Sequence, residues 1–284
     1  MNILKIVVFF FLITININAQ KGSIGQLEDS IQSLFTKIIA TKNDNDKLKY
    51  NSEIEKLFNE VLLKKSTFEH PFHKLKNVSK LSSDDGLLRI FTWNLPYNNG
   101  TYEYFGFIQV KSKNKHISLF KLSDKSNAIN TPQNKVLDND SWYGTLYYKI
   151  LTNTNKSKTY YTLFGWDGND NFTNKKIIEI LTIKSKKPQF GSPILKMGNK
   201  THSRIIFEYA KQAKMMLRYD EQEKLIVFDH LAPSLKKFKG QYMYYGPDLS
   251  QDGLQFIDGY WILKPNLDMR NKENSNKKPI KTSY

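Results

Sequence analysis

The chain has 284 residues and a formal net charge of +16, and aromatic residues make up 13% of it, enough for a sizeable core. Cysteine is absent, which excludes disulfides, thiol nucleophiles, iron–sulfur centres, cysteine zinc sites and a lipoprotein anchor. The positive charge would attract anionic polymers, but the interleaved arginine and aromatic residues of a nucleic-acid binder are not visible, so we expect no nucleic-acid partner.

Residues 1–20 have the pattern of a secretory signal peptide. Lys5 is the only charge before an apolar run over residues 6–13, and a polar stretch then leads to Ala19 and Gln20. The apolar run is shorter than the roughly twenty residues that span a bilayer. We expect cleavage after Ala19 or Gln20 and export to the periplasm, the outer-membrane periphery or the medium.

Two amphipathic helices follow. Apolar residues recur at three- and four-residue spacing from Leu27 to Ile38 and again from Ile54 to Leu62. Residues 41–46, rich in Asn and Asp, predict the connection between them. The sequence therefore predicts a helical hairpin over residues 21–66.

An antiparallel β domain is predicted over residues 67–269, because from about Leu87 the apolar period changes to two and turn clusters separate short aromatic runs. Residues 142–151 alternate as a strand with one core face and one wet face. Residues 204–217 fit either a helix or two strands, and strict alternation favours the strands. We predict a mainly β, α+β fold of about eleven strands in a sandwich or a curved, partly closed sheet, with a small propeller as the alternative. Residues 270–284 predict a basic, disordered tail.

The segment after the strand at 159–166 is the densest polar cluster of the chain. Asp167, Asn169 and Asn171 have the spacing of a calcium loop, but Phe172 stands where that loop needs glycine. A turn between two strands explains the same residues, so we expect neither a metal nor a cofactor. The cluster supplies four binding candidates: Trp166, Asp167, Asn169 and Asp170.

Catalysis would require acidic or basic side chains that meet in one cleft. Asp167, Glu208 and Asp229 are candidates for a glycosidase pair, in which two carboxyl groups face a sugar from opposite sides. His230 is a candidate base, although no G-x-S-x-G motif supplies a serine for it. Structural roles in strands and strand ends are the alternative for all four residues.

A second pair of binding candidates is Tyr244 and Tyr245. They precede Gly246-Pro247-Asp248, which predicts a turn, as does Gln251-Asp252-Gly253. An exposed tyrosine beside a turn can stack on a sugar, whereas most of the 16 tyrosines are expected to lie half-buried on sheet faces.

Five short segments stand out along the β region. They are Leu88–Asn94, Trp142-Tyr143-Gly144, Gly165–Asn169, Ile226–Leu231, and Tyr244–Asp248 with Asp252-Gly253. With these segments the chain resembles a group of exported proteins of Bacteroidota over most of residues 70–270. The resemblance implies export and a β-rich architecture, and it supplies no activity or site residue.

The sequence leads us to expect a non-catalytic envelope or secreted protein whose β domain binds a partner, either an envelope protein or a glycan. Two alternatives stay open. One is a glycan-directed hydrolase that uses the carboxylates named above, and the other is capture of anionic polysaccharide by the lysine-rich surface and tail.

Overall fold

A computed structural model of the protein describes residues 23–112 and 114–267. The predicted signal peptide and the predicted tail over residues 270–284 lie outside these ranges. The described chain begins with two helices, α1 (Ile24–Ala40) and α2 (Asp44–Leu62), followed by fifteen strands. The strands are β1 (Ser79–Ser82), β2 (Leu88–Pro96), β3 (Tyr102–Lys111), β4 (Ile117–Ser123), β5 (Leu146–Asn155), β6 (Lys158–Asp167), β7 (Thr173–Lys184), β8 (Lys187–Phe190), β9 (Leu195–Met197), β10 (Lys200–His202), β11 (Arg204–Ala210), β12 (Leu217–Asp220), β13 (Leu225–Pro233), β14 (Tyr245–Ile257) and β15 (Tyr260–Lys264). The mainly β fold with an N-terminal helical hairpin is confirmed.

Side-chain caps begin both helices. The Ser23 hydroxyl accepts a hydrogen bond from the Gln26 backbone N–H, and the Gln26 side chain accepts one from the Ser23 N–H. The Asn43 side chain accepts hydrogen bonds from the N–H groups of Asn45 and Asp46 at the start of α2. No helix in the described ranges is long and apolar enough to cross a membrane.

The first sheet, in the order β1-β2-β3-β4, carries the helical hairpin on one face. Trp93 of β2 is fully buried there, its ring lies 4.9 Å from that of Phe58 in α2, and its indole N–H donates a 2.7 Å hydrogen bond to Asn51 Oδ1. Phe91 and Phe107 complete the aromatic centre of this layer. The opposite face packs on the second sheet.

The second sheet, in the order β11-β7-β6-β5 with β8 paired to the far end of β7, is the middle layer. Leu163 and Ile177 pack towards the first sheet, while Phe164 and Ile178 pack towards the third. Because both faces are covered, apolar residues follow one another directly in sequence, as in Ile177-Ile178.

This layering corrects the predicted strand over residues 142–151. The strand starts only at Leu146, and the predicted division into a core face and a wet face is wrong. Tyr147 is fully buried, while the other predicted face carries both Tyr148, which is 37% exposed, and Ile150, which is buried. A bulge between Tyr147 and Lys149 adds one residue, Tyr148, and shifts the phase of the alternation.

The third sheet has the order β10-β9-β15-β14-β13-β12, and all its pairs are antiparallel except β9 with β15. The predicted turns at Gly246–Asp248 and Gln251–Gly253 are wrong, because both lie inside the 13-residue strand β14. A bulge between Asp229 and Leu231 of β13 and a positive φ at Leu249 accommodate these residues in the ladder. Residues 242–244, just before β14, form a 3₁₀ turn. For residues 204–217 the helix is absent: the first predicted strand is present as β11, whereas the second, β12, begins only at Leu217.

An ion pair is fully buried on the face of the second sheet that meets the first. The Arg204 Nε–H donates a 2.5 Å hydrogen bond to Glu179 Oε1, and a second guanidinium N–H bonds the same oxygen. The Tyr147 hydroxyl donates to Glu179 Oε2 and accepts a 2.9 Å bond from the Trp142 indole N–H. The Arg204 Nη1–H donates to the Pro132 carbonyl. Burial and the Glu179 carboxylate raise the pKa of Tyr147 well above its ordinary value.

Candidate functional site

Three polar residues lie in register at one end of the second sheet. Asp167 of β6 is directly opposite Lys175 of β7, and Lys175 is directly opposite Glu208 of β11. Residues directly opposite one another in antiparallel strands share a face. Two of the predicted catalytic carboxylates therefore lie on one face of the second sheet with a single strand between them.

Asp167 is buried and held by neighbouring donors. Its Oδ1 accepts hydrogen bonds from the Tyr104 hydroxyl at 2.9 Å and from the Asn169 N–H at 2.7 Å, and its Oδ2 lies 3.9 Å from Lys175 Nζ. Burial raises the pKa of the Asp167 carboxyl, and these donors oppose the rise. Burial, followed by the Asp167 charge, raises the pKa of Tyr104.

Glu208 joins the same network through a threonine. The Thr173 hydroxyl donates a 2.9 Å hydrogen bond to Glu208 Oε1 and accepts a 2.6 Å bond from Asn169 Nδ2. The Lys175 ammonium donates a 2.7 Å bond to Asn169 Oδ1. Asn169 is therefore the centre of a chain of hydrogen bonds from one carboxylate to the other, and these side chains restrain one another.

The segment with the spacing of a calcium loop, residues 167–171, forms a turn. Asp170 Oδ1 accepts hydrogen bonds from the N–H groups of Phe172 and Thr173, and the Asn171 side chain donates to the Asn99 carbonyl. This is the turn-forming behaviour of Asp and Asn side chains. In the part of the chain that the structure describes, no group of three or more His, Asp or Glu residues is arranged to hold a metal ion.

The remaining catalytic candidates lie in the third sheet. Asp229 Oδ2 accepts a 2.8 Å bond from the Met216 N–H, and its Oδ1 accepts one from the Gln251 side chain. His230 Nδ1 lies 2.7 Å from Asp248 Oδ2. The Ser250 hydroxyl donates a hydrogen bond to Asp248 Oδ1, and this bond makes the largest contribution to lowering the pKa of the Asp248 carboxyl. Serine and histidine thus both contact the aspartate, rather than forming a relay in which histidine activates serine.

Residues 234–245, which are the loop between β13 and β14 and Tyr245, the first residue of β14, are named here the basic aromatic loop. The Ser234 N–H donates to the Tyr244 carbonyl, and the Gly240 N–H donates to the Tyr245 hydroxyl at 2.9 Å. The rings of Phe238 and Tyr244 stack at 4.0 Å. Its backbone is therefore held in place by internal contacts.

The surface of the basic aromatic loop combines apolar and cationic groups. Leu235 is 55% exposed and Tyr242 is 45% exposed, and Met243 and Tyr244 are also exposed. Three lysines lie among them: Lys236, Lys237 and Lys239. No acidic residue occurs in the sequence from 231 to 247. Sequence reasoning found only the two tyrosines, although the run Lys-Lys-Phe-Lys followed by Tyr-Met-Tyr-Tyr without an acid was a visible signal.

Trp166 lies away from Asp167, because successive strand residues point to opposite faces. Its ring lies 5.6 Å from that of Tyr102, edge to face, and its register partner on β7 is Lys176. The four candidates of the 166–170 segment are thus divided between two environments.

A cavity of about 430 Å³ lies where the end of α1 meets the end of β2. Its wall is apolar at Phe35, Ile38 and Ile39 and polar at Asn77 and Asn94. Sequence reasoning did not indicate this cavity, since its lining comes from distant segments.

Comparison with known proteins adds no relative: no family model, no curated protein and no solved structure matches the chain.

Proposed function

We propose that the protein is an exported, non-catalytic binding protein of the cell envelope or the medium, and that it holds an anionic glycan with its β region. The observation that carries the proposal is the basic aromatic loop. Exposed apolar side chains grouped on a surface mark interaction sites, and three lysines without an acidic neighbour in the segment select for negative charge.

A glycan with acidic groups fits this surface on two grounds. Tyrosine rings offer flat faces to sugar rings while keeping a polar hydroxyl at the edge. The lysine ammonium groups supply counter-charges for carboxylates or sulfates along the polymer. Because the loop is held by its own hydrogen bonds and ring stacking, little ordering entropy is lost when a partner binds.

Binding without catalysis is favoured because the candidate carboxylates are already hydrogen-bonded to other residues of the protein. Asp167 is buried, accepts hydrogen bonds from Tyr104 and Asn169 and lies 3.9 Å from the Lys175 ammonium, and Glu208 accepts a hydrogen bond from Thr173. Asp229 accepts hydrogen bonds that fix its own sheet. Each of these groups has a structural use in place.

The test is affinity electrophoresis of the purified protein through gels containing polygalacturonate or a neutral glucan. We expect retardation by the acidic polymer only. Replacing Lys236, Lys237 and Lys239 together by Gln should abolish it, and Tyr242→Ser with Tyr244→Ser should weaken it. The matched control replaces three exposed lysines of the β7–β8 turn, Lys184, Lys186 and Lys187, which lack exposed aromatic neighbours in that turn.

Two results would contradict the proposal. One is migration unaffected by the acidic polymer, which would direct attention to a protein partner. The other is an equal loss of retardation in the loop variant and the control variant, since that would assign binding to net charge alone. Retardation should also decrease with salt, because exposed charges are screened within about 8 Å at physiological ionic strength.

The shared face of Asp167 and Glu208 favours a second candidate function, a glycan-directed hydrolase. Two strand spacings separate their backbones by about 10 Å, close to the roughly 6.5–9.5 Å between the carboxyl groups of inverting glycosidases. Asp167, with its raised pKa, would be the acid and Glu208 the base. Release of reducing ends from a glycan, lost in both Asp167→Asn and Glu208→Gln, would establish this function, and no release by the wild-type protein would exclude it for that glycan.

A further inference from the structure

A lysine without an anionic partner lies half-buried on the face of the second sheet that meets the third. Lys176 lies on β7, an interior strand of this sheet, and its ammonium is 4.2 Å from the centre of the Tyr148 ring. Over residues 23–112 and 114–267, no carboxylate pairs with it. Burial alone lowers the pKa of Lys176, with no contribution from a neighbouring charge.

Three aromatic residues, on β5, β6 and β11, neighbour Lys176. Trp166 of β6 and Phe207 of β11 are its direct register partners, and directly opposite residues have Cβ atoms about 5 Å apart. Tyr148 is the extra residue of the bulge in β5, and bulges re-aim side chains. Trp166 and Phe207 are partly buried, and Tyr148 is 37% exposed. We name this group the Lys176 niche.

Other lysines of the same region have partners. Lys175, one residue earlier, bonds Asn169 and lies near Asp167, and Lys211 donates a 2.7 Å bond to the Gly168 carbonyl. A half-buried cation without such a partner is costly, because it loses hydration that nothing replaces. The cation–π contact with Tyr148 offsets part of the lost hydration energy. The ammonium can still accept an anionic ligand as a partner.

We propose that the Lys176 niche is a binding subsite for a single carboxylate carried on a six-membered ring. One ammonium balances one negative charge, so a monoanionic carboxylate fits better than a phosphate dianion. The aromatic walls offer flat apolar faces to the ring, as in ligand sites lined by aromatic residues with few polar groups. The Lys176 niche shares no residue with the basic aromatic loop, although the 3₁₀ turn of that loop contacts β11, the strand of Phe207. The niche does not depend on the proposed function.

Intrinsic fluorescence can observe this site directly. The chain has four tryptophans, and Trp93, Trp142 and Trp261 are fully buried, which leaves Trp166 as the accessible reporter. The protein is titrated with galacturonate, with cyclohexanecarboxylate and with neutral methyl galactoside. We expect a saturable change with a ring carboxylate and none with the neutral sugar. Saturation by galacturonate alone assigns the ring to a sugar acid, and saturation by cyclohexanecarboxylate alone assigns it to an apolar acid.

Variants separate this subsite from the loop. Lys176→Met keeps the length of the side chain and should weaken binding at least about tenfold, as expected for a lost charged hydrogen bond. The control is Lys196→Met, because Lys196 lies 3.7 Å from the Tyr260 ring centre in an equivalent cation–π pair outside the niche. The triple Gln variant of the loop should bind the ring carboxylate normally even if polymer binding fails. An absence of saturation by both ring carboxylates, or an unchanged dissociation constant in Lys176→Met, would overturn the proposal.

Discussion

Removing Arg204 should destabilise the protein far more than removing an exposed arginine. Arg204 and Glu179 are both 0% exposed, so Arg204→Met leaves the Glu179 carboxylate buried with only Tyr147 as a donor. Breaking a buried pair on one side costs about 3 to 5 kcal/mol. The same change at Arg218, whose side chain is 44% exposed and pairs with Asp220 at 2.7 Å, should cost about 0 to 1 kcal/mol.

The assay is urea unfolding monitored by circular dichroism. The free energies of unfolding of the variants are compared with one shared dependence on urea concentration. Adding Glu179→Gln to Arg204→Met should cost at least about 1 kcal/mol less than the two single changes summed, because the second change removes the stranded charge. Equal losses at Arg204 and Arg218, or strict additivity in the double variant, would refute the reasoning that an uncompensated buried charge dominates.

Three further predictions follow from single contacts. Gly106→Ala should destabilise by about 1 to 3 kcal/mol, since its Cβ would lie 2.5 Å from the Phe91 carbonyl oxygen, and thermal unfolding measures the loss. Trp93→Phe should cost about 2 to 4 kcal/mol through lost packing and the broken bond to Asn51, and a loss below about 1 kcal/mol would contradict this. Asp167 has a folded-state pKa above its ordinary 3.8, so between the two values the folded state binds more protons and the contribution of Asp167 to stability falls as pH rises. The stability of Asp167→Asn relative to wild type should therefore increase as pH rises through this range, as measured by the free energy of unfolding at several pH values. A stability difference that does not change with pH would count against a raised pKa of Asp167.

The helices could be predicted because each buries one periodic face, and the central strands because they form short apolar, aromatic-rich runs between turn residues. The Leu27-to-Ile38 and Ile54-to-Leu62 spacings predict both helices, although α2 begins at Asp44, inside the segment predicted as the connection. Very short strands such as β9 and β10 contain too few residues for a period to emerge. Glycine, proline and aspartate in β14 looked like turns, because the sequence does not reveal that β14 carries residues 248–250 opposite the single residue His230 of β13.

The candidate site was only partly predictable for a related reason. Asp167 and Glu208 were chosen by residue type, but their common face depends on β11 pairing with β7, a long-range contact that local pattern does not specify. Lys176 resembled any strand lysine, and only the register of the neighbouring strands shows that no acidic residue among those the structure describes pairs with it. Trp166 was chosen because it is an aromatic residue next to a polar cluster in the sequence. In the structure it pairs with Lys176 and points to the opposite face of the sheet from Asp167.

Hydrogen exchange of the backbone in the presence of polygalacturonate tests the central claim most directly. The account predicts slower exchange over residues 234–245 with the acidic polymer, and unchanged exchange there with a neutral glucan. Protection confined to the β7–β8 turn, or no protection anywhere at polymer concentrations that retard the protein, would contradict a glycan-binding role for the basic aromatic loop.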